Sequence, residues 1–313
     1  MILLTGATGF IGSAILKRLS GTSGTHIRTY GRKIINGQSI SHVMGTIDAV
    51  TDYSSALTGV DVIIHAAARS HVMDDVETDP LIAYRNVNVA GTLNLARHAV
   101  NSGVRRFIFI SSIKVNGEST EIDAPFKNTD CIHANDPYGV SKAEAEAGLR
   151  KISIESGMEV VIIRPPLVYG PGVKANFSAM MNLAKKNLPL PFGAIHNKRS
   201  LVALDNLVDL IITCLDHPRA ANQIFLVSDD RDVSTTELLE LMTRAAGKVP
   251  RLLPVPVRWL RLAGRLTGKQ AVIDRLCGNL QVDITHTKET LGWLPPISLE
   301  EGIGRCFFED KSC

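Results

Sequence analysis

No two of the five cysteines, Cys131, Cys214, Cys277, Cys306 and Cys313, stand in C-x-x-C spacing, and their number is odd. That pattern excludes a zinc ribbon and a disulfide framework, and reads as reduced thiols. There is no H-E-x-x-H, so neither His65 nor His71 reads as a ligand and no metal is expected. No apolar run reaches the roughly 18 residues of a membrane span, and the N-terminus lacks a positively charged n-region and a cleavage site. A cytoplasmic chain without an integral membrane segment is therefore expected. The 34 basic and 31 acidic residues leave a net charge of +3, with no long basic tract or basic–aromatic alternation, which argues against nucleic acid as a partner. Internal repeats and low-complexity tracts are missing too. One further absence concerns charge of one sign: no Asp or Glu precedes Asp48.

What the chain does have is material for a sizeable core. Its 313 residues are 45% hydrophobic, enough for roughly two domains. Short apolar runs near 2–5, 26–30, 42–44, 61–65, 105–110 and 159–164 alternate with helical patterns. Such alternation predicts an α/β fold, a Rossmann doubly wound parallel sheet. After Pro165 the spacing loosens, and NLPLPFG (187–193) reads as a loop. We divide the chain into a dinucleotide-binding domain over 1–170 and a smaller C-terminal lobe over 171–313, with segments interleaved. STTE (234–237) and SLEE (298–301) have capping-box spacing and mark helices in the second half.

Two motifs carry chemistry. The first strand, ILLT, runs into GATGFIG (6–12) and then a helix. Gly6 permits the tight turn, Gly9 lets backbone approach a pyrophosphate, and Gly12 allows close helix packing, with the helix N-terminus favouring phosphate charge. The second is NDPYGVSK (135–142). Asp136 can cap a helix and Pro137 suits its first position, so Tyr138 and Lys142, one turn apart, share a face. A cation beside a phenol lowers its pKa from about 10 and makes it a usable acid or base for alcohol–ketone interconversion.

With these motifs assembled, the chain resembles the extended short-chain dehydrogenase/reductase family, in its nucleotide-sugar epimerase, dehydratase and 4-keto-reductase branch. Further segments carry the likeness: DVIIHAAA (61–68), NVNVAGT (86–92), FIFISS (107–112), RPPLVYGPG (164–172), RSLVALDNLVD (199–209) and LGWLP (291–295). The resemblance implies Ser112, Tyr138 and Lys142 as the catalytic set, with Ser111 a neighbour. Tyr138 would exchange a proton with the oxygen at C4 of a sugar, Ser112 would hydrogen-bond that oxygen, and Lys142 would hold the nicotinamide ribose and keep the phenol's pKa down. It also implies a cofactor set of Gly6, Gly9, Phe10, Ile11, Gly12, Arg32, Ile47, Asp48, Ala66, Ala67, Lys142 and Pro165.

Cofactor choice turns on the missing carboxylate. NAD-selective sites place an Asp or Glu after the second strand, about 20 residues past the glycine turn. Here that strand, HIRTY, is followed by Gly31, Arg32 and Lys33. Arg32 can pair with a 2′-phosphate, so NADP(H) is the preferred cofactor and NAD the alternative. Asp48 is placed near the adenine.

For the substrate, the resemblance implies a UDP-sugar whose diphosphate is held by Arg199 and Asn176, with Arg275 a weaker candidate. Arg69 and the loop RSHVMDD (69–75), with Lys114 and Asn116, line the sugar side. Asn116 replaces the tyrosine usual in the family's V-Y-G. Together with Arg32 and Lys114, that favours an NADPH-dependent UDP-4-keto-hexose reductase acting on an N-acetylated deoxy sugar. The alternative is a UDP-glucose or UDP-N-acetylhexosamine 4-epimerase, and a non-enzymatic NADP sensor is a remote one. Helices near 80–102 and 137–156 offer a possible homodimer contact. Finally, VRWLRLAGR (257–265) lines Arg258, Arg261 and Arg265 along one helical face. It reads as a solvated face beside a buried one, with an acidic membrane surface as the alternative.

Overall fold

Strand β1, Ile2–Thr5, is buried on both faces, so its apolar residues need protein above and below them. The computed structural model, which describes residues 1–35, 40–70 and 79–308, supplies both layers. Helix α1 (Phe10–Ser20) follows β1, and then come β2 (Ile27–Gly31), β3 (Ile40–Met44), the short α2 (Ser54–Leu57) and β4 (Val62–His65). Next are α3 (Pro80–Tyr84), a wide-turned helical segment over Arg85–Gly91, α4 (Thr92–Asn101), β5 (Arg106–Ile110), α5 (Pro137–Ser156) and β6 (Glu159–Arg164). The second half contains β7 (Leu167–Tyr169), α6 (Ala175–Lys186), β8 (Arg199–Ala203), α7 (Leu204–Asp216), β9 (Ile224–Leu226), β10 (Asp232–Val233) and α8 (Thr235–Ala245). Helices α9 (Val257–Leu266), α10 (Gln270–Cys277), α11 (Thr285–Leu291) and α12 (Leu299–Phe308) complete it.

Seven strands join in the order β3-β2-β1-β4-β5-β6-β9, all parallel, which is the doubly wound arrangement expected from the sequence. Because successive strand residues point to opposite faces, each strand feeds two cores. Leu4, Ile64, Ile108 and Val161 pack with Ile15 of α1 and Leu207 and Ile211 of α7. Leu3, Ile63, Phe107 and Val160 pack with Leu95 of α4 and Leu149 of α5 on the other side. A third core, built from Tyr169, Phe177, Leu201, Met242 and Ile303, fills the smaller lobe around a three-stranded sheet ordered β10-β8-β7. Residues beyond 170 also return to the first layer: β9 extends the large sheet and α7 covers it.

Local chemistry places the helix ends. The Asp136 side chain accepts from the Gly139 amide at 3.1 Å and Pro137 opens α5, while Gly157 closes the helix at φ 78°. Ser234 accepts from the Glu237 amide at 3.0 Å and Ser298 from the Glu301 amide at 3.2 Å, as the capping-box spacing predicts. Helix α6 stops at Asn187, which takes a left-handed conformation at φ 52° and begins the expected loop. The stretch expected as one helix over 80–102 is instead interrupted by the widened turn at Arg85–Gly91. Such a turn re-aims side chains that a regular helix would leave in register.

Candidate active site

The β1–α1 turn leaves no room for side chains. A Cβ on Gly12 would lie 2.1 Å from the Gly6 carbonyl oxygen, and one on Gly6, at φ 72°, would lie 2.6 Å from the Ala66 and Ala67 backbone. Ala66 and Ala67 at the end of β4 are therefore pressed against the glycine turn, forming one continuous backbone floor. Gly9 caps α1 with no side-chain bond, so the amides of the first turn, at Phe10 and Ile11, are left for an anion. A dinucleotide pyrophosphate fits this cradle. His65 beneath it is fully buried, with Nδ1 2.7 Å from Thr5 Oγ1 and Nε2 2.9 Å from Thr92 Oγ1. Burial pushes its pKa down to about 3, so it is a neutral, packed histidine. Among the described residues no group of His, Cys, Asp or Glu is gathered to hold a metal; His71 lies outside them.

At the adenine side, Arg32 and Lys33 are exposed just past β2. Ile47 packs against Gly91, where a Cβ would meet Ile47 Cγ2 at 2.7 Å. Asp48 is already occupied: Oδ2 accepts from Thr46 Oγ1 at 2.6 Å, and Oδ1 from Thr51 Oγ1 and the Thr51 amide, each at 2.8 Å. The Thr46 hydrogen bond and its neighbours hold this carboxyl down at about 2. The side chain thus braces its own loop.

Helix α5 brings Tyr138 and Lys142 to the C-terminal end of β5. Lys142 Nζ donates to the Ile110 carbonyl at 2.8 Å and lies 4.4 Å from the Phe109 ring centroid and 5.9 Å from that of Tyr138. Ser112, two residues beyond Ile110, accepts from the Lys114 amide at 3.3 Å and is partly exposed. Pro165, buried at the end of β6, accepts from the Ile113 amide at 2.9 Å and fixes this corner. Ser112, Tyr138 and Lys142 thus lie together at the C-terminal end of β5, the strand next to β4.

Their ionisation differs from the expectation. Burial raises the Tyr138 pKa, and Asp136 and Tyr84, the latter edge-on at 6.0 Å, raise it further. Lys142 does not offset this, because burial, opposed by Glu146, lowers its own pKa to about 7. Near neutral pH the amine of the ligand-free protein therefore carries only part of the positive charge expected beside the phenol. The sign of the resulting pH dependence is definite. A lysine whose folded pKa is depressed to about 7 from 10.5 contributes stability present above the unfolded value and lost as pH falls toward the folded one. Ligand-free protein should therefore gain stability between about pH 7 and 10, by up to about 1.4 kcal/mol per unit from this group. Lys142→Met should flatten that slope in urea titrations run across the range; an identical slope in both proteins would show that Lys142 is charged when buried.

Several residues expected at the sugar are used elsewhere. Asn116 is buried, accepts from Arg164 Nη1 at 2.9 Å and donates to the Lys127 carbonyl at 3.2 Å. It holds the core beneath the site and does not line it. Lys114 donates to Asp136 at 2.8 Å and Glu118 at 3.1 Å, which locks the cap of α5. Arg199 donates to the carbonyls of Arg275 at 2.8 Å and Gly278 at 3.3 Å, and burial lowers its pKa. Arg275 contributes that carbonyl, and its side chain is exposed on α10. Asn176 is exposed in the first turn of α6. The backbone of Arg69 is clamped by Asn88, whose Oδ1 accepts from the Arg69 amide at 2.8 Å; the remainder of its loop, from His71, lies outside the described residues.

Two residues that the motif reading passed over emerge here. Asn88 lies in the widened turn and also donates to Ser141 at 3.0 Å, joining the loop after β4 to α5 between Tyr138 and Lys142. Its signal was present in NVNVAGT, though not as a site residue. Glu146, one turn beyond Lys142 and fully buried, accepts from Ser111 at 2.5 Å and pairs with Arg164 through two bonds, at 2.9 and 2.5 Å. Ser111 is thereby turned inward, and Ser112 is the serine left at the site.

A parallel sheet, a glycine cradle and a Ser–Tyr–Lys set at the strand ends define a dinucleotide-dependent oxidoreductase type of site. The NAD dependent epimerase/dehydratase family pattern matches residues 2–228, and the chain belongs to that family of extended short-chain dehydrogenase-type enzymes. It is 55% identical over 304 residues to a UDP-glucose 4-epimerase of Vibrio cholerae, covering 96% of this chain and 93% of that protein. Among solved structures it is similar to the UDP-glucose 4-epimerase of Thermotoga maritima with UDP-glucose (TM-score 0.77, 23% identity, 99% of both chains). It is also similar to the UDP-glucuronic acid 4-epimerase of Bacillus cereus in complex with NAD (TM-score 0.78, 20% identity, 99% of this chain and 98% of that one). No helix among the described residues is long and apolar enough to cross a membrane.

Proposed function

We propose that this enzyme is a UDP-hexose 4-epimerase, oxidising C4 of UDP-glucose or a UDP-N-acetylhexosamine and reducing it again from the other face on one retained dinucleotide. The observation that carries the reading is the 55% identity over 304 residues to a protein named as a UDP-glucose 4-epimerase, with Ser112, Tyr138 and Lys142 near the C-terminal end of β5. This favours the epimerase alternative over the reductase preferred from the sequence. The inward position of Asn116 and the pairing of Lys114 also remove two of the three arguments for a reductase.

The bound dinucleotide supplies hydride uptake and return. Tyr138 takes the proton from the C4 hydroxyl and gives it back, Ser112 donates a hydrogen bond to that oxygen, and Lys142 steadies the phenolate and the ribose. Tyr138 needs that support, since burial of its phenol, Asp136 and Tyr84 all favour the protonated form. Arg199, anchored at α10, and Asn176 are kept as diphosphate contacts on the substrate lobe. A homodimer across α3 and α5 belongs to the same reading, supported by Ile82 and Ile154, 54% and 85% exposed on those helices; light scattering tests it.

A second reading rests on Arg32, which stands exposed after β2 with no acidic residue before Asp48. It favours NADP, and with it reduction of a UDP-4-keto sugar by exchangeable NADPH. Incubation with UDP-glucose or UDP-N-acetylglucosamine and no added cofactor separates the two. C4 epimer is the expected product, whereas NADPH oxidation on a 4-keto sugar without epimer would establish the reductase. Arg32→Glu should weaken NADP binding roughly 10- to 100-fold while sparing NAD, the scale of a lost charged hydrogen bond. Equal NADP affinity in the variant would remove Arg32 from the cofactor site.

A further inference from the structure

Helix α9 is divided into three sectors. At 100° per residue, Leu260 and Gly264 fall together and are buried. Gly264 brings α10 close, since a Cβ there would lie 2.9 Å from Ile273 Cγ1. The opposite sector holds Trp259, Leu262 and Leu266, which are 56%, 46% and 80% exposed. Between these lie Arg258, Arg261 and Arg265, all exposed. The expected pairing of a solvated arginine face with a buried apolar one is therefore only half met, because the apolar side chains beside the arginines are uncovered. The helix carries no acidic residue; Asp274 of α10 reaches Arg261 at 3.8 Å, and exposed Lys269 follows in the connecting turn.

We propose that this face of α9 docks on an anionic lipid membrane, with Trp259, Leu262 and Leu266 entering the headgroup–acyl boundary and Arg258, Arg261 and Arg265 pairing with lipid phosphates. A tryptophan and leucines flanked by arginines on a rigid helix match the two faces of a charged bilayer surface, one apolar and one anionic. A second copy of this chain is a poor occupant, since a two-fold contact would set three arginines against three arginines. The surface belongs to the substrate lobe: the end of α10 is held by Arg199 through the carbonyls of Arg275 and Gly278. Docking is independent of which sugar reaction the enzyme performs.

The test uses the full chain with vesicles of phosphatidylcholine and phosphatidylglycerol in equal parts, and with phosphatidylcholine alone. Flotation should carry the protein with the anionic vesicles and release it at high salt. Tryptophan emission should shift to the blue on binding, and the shift reports Trp259 because the other tryptophan, Trp293, is only 5% exposed. Arg258→Glu with Arg261→Glu should weaken association by roughly fivefold or more per charge, and Leu262→Ser with Leu266→Ser should abolish the blue shift. All four positions are exposed, so melting temperature and turnover in solution should stay at wild-type values. Failure to float with anionic vesicles, equal binding to neutral ones, or variants that bind like wild type would overturn the proposal. So would a dimer that dissociates on the Leu262 and Leu266 changes, which would give the face to a second copy.

Discussion

Tyr138→Phe should lower turnover by roughly 10²- to 10⁴-fold, the scale of a positioned acid or base, while leaving dinucleotide binding close to wild type. The substitution removes one oxygen and keeps the ring that packs edge-on against Tyr84. Folding and the glycine cradle are untouched, so the loss is confined to proton transfer at C4. Epimer formation followed by chromatography, alongside a fluorescence titration of NADH, separates the two quantities. Wild-type turnover in the variant would exclude Tyr138 from the reaction, and lost cofactor binding would show that the phenol is a structural element of the cradle.

The second large effect lies beneath the site. Glu146→Ala should destabilise the protein by about 3–5 kcal/mol, because it strands the buried Arg164 guanidinium without its carboxylate. Arg164 and Glu146 are both essentially inaccessible to solvent, so water cannot replace the lost partner. The same carboxylate also holds Ser111 and supports the charge of Lys142. A fall in melting temperature of roughly 6–15 °C is expected. The double variant Glu146→Ala, Arg164→Met should recover part of it, because removing both charges removes the unpaired one. A single variant as stable as wild type would mean that Arg164 reaches solvent or another anion when Glu146 is gone.

This network shows why some substrate-side expectations shifted. Asn116 occupies a position that looks sugar-facing in the motif, but whether a side chain turns in or out depends on what stands opposite it. Here Arg164, arriving from β6, offers a donor in the core, and the Asn116 amide oxygen accepts it. Lys114 is similar: its partner Asp136 lies 22 residues on, and the pairing exists only because the cap of α5 closes over the end of β5. The depressed Lys142 pKa likewise follows from depth of burial, which residue spacing does not report.

From sequence alone came the features set by local rules: six parallel strands whose apolar runs need cover on both faces, the glycine turn with no space for a Cβ, the capped helix carrying Tyr138 and Lys142, and the loop after α6. Each depends on residues near one another along the chain, where periodicity and backbone sterics act directly. Only tertiary structure decided that Ser111 is held by Glu146, that Asn88 clamps the Arg69 backbone, that Glu146 and Arg164 pair in the core, and that Trp259, Leu262 and Leu266 remain uncovered. Those outcomes depend on partners up to scores of residues away, and burial, which sets both their energy and their charge state, exists only once the layers have packed.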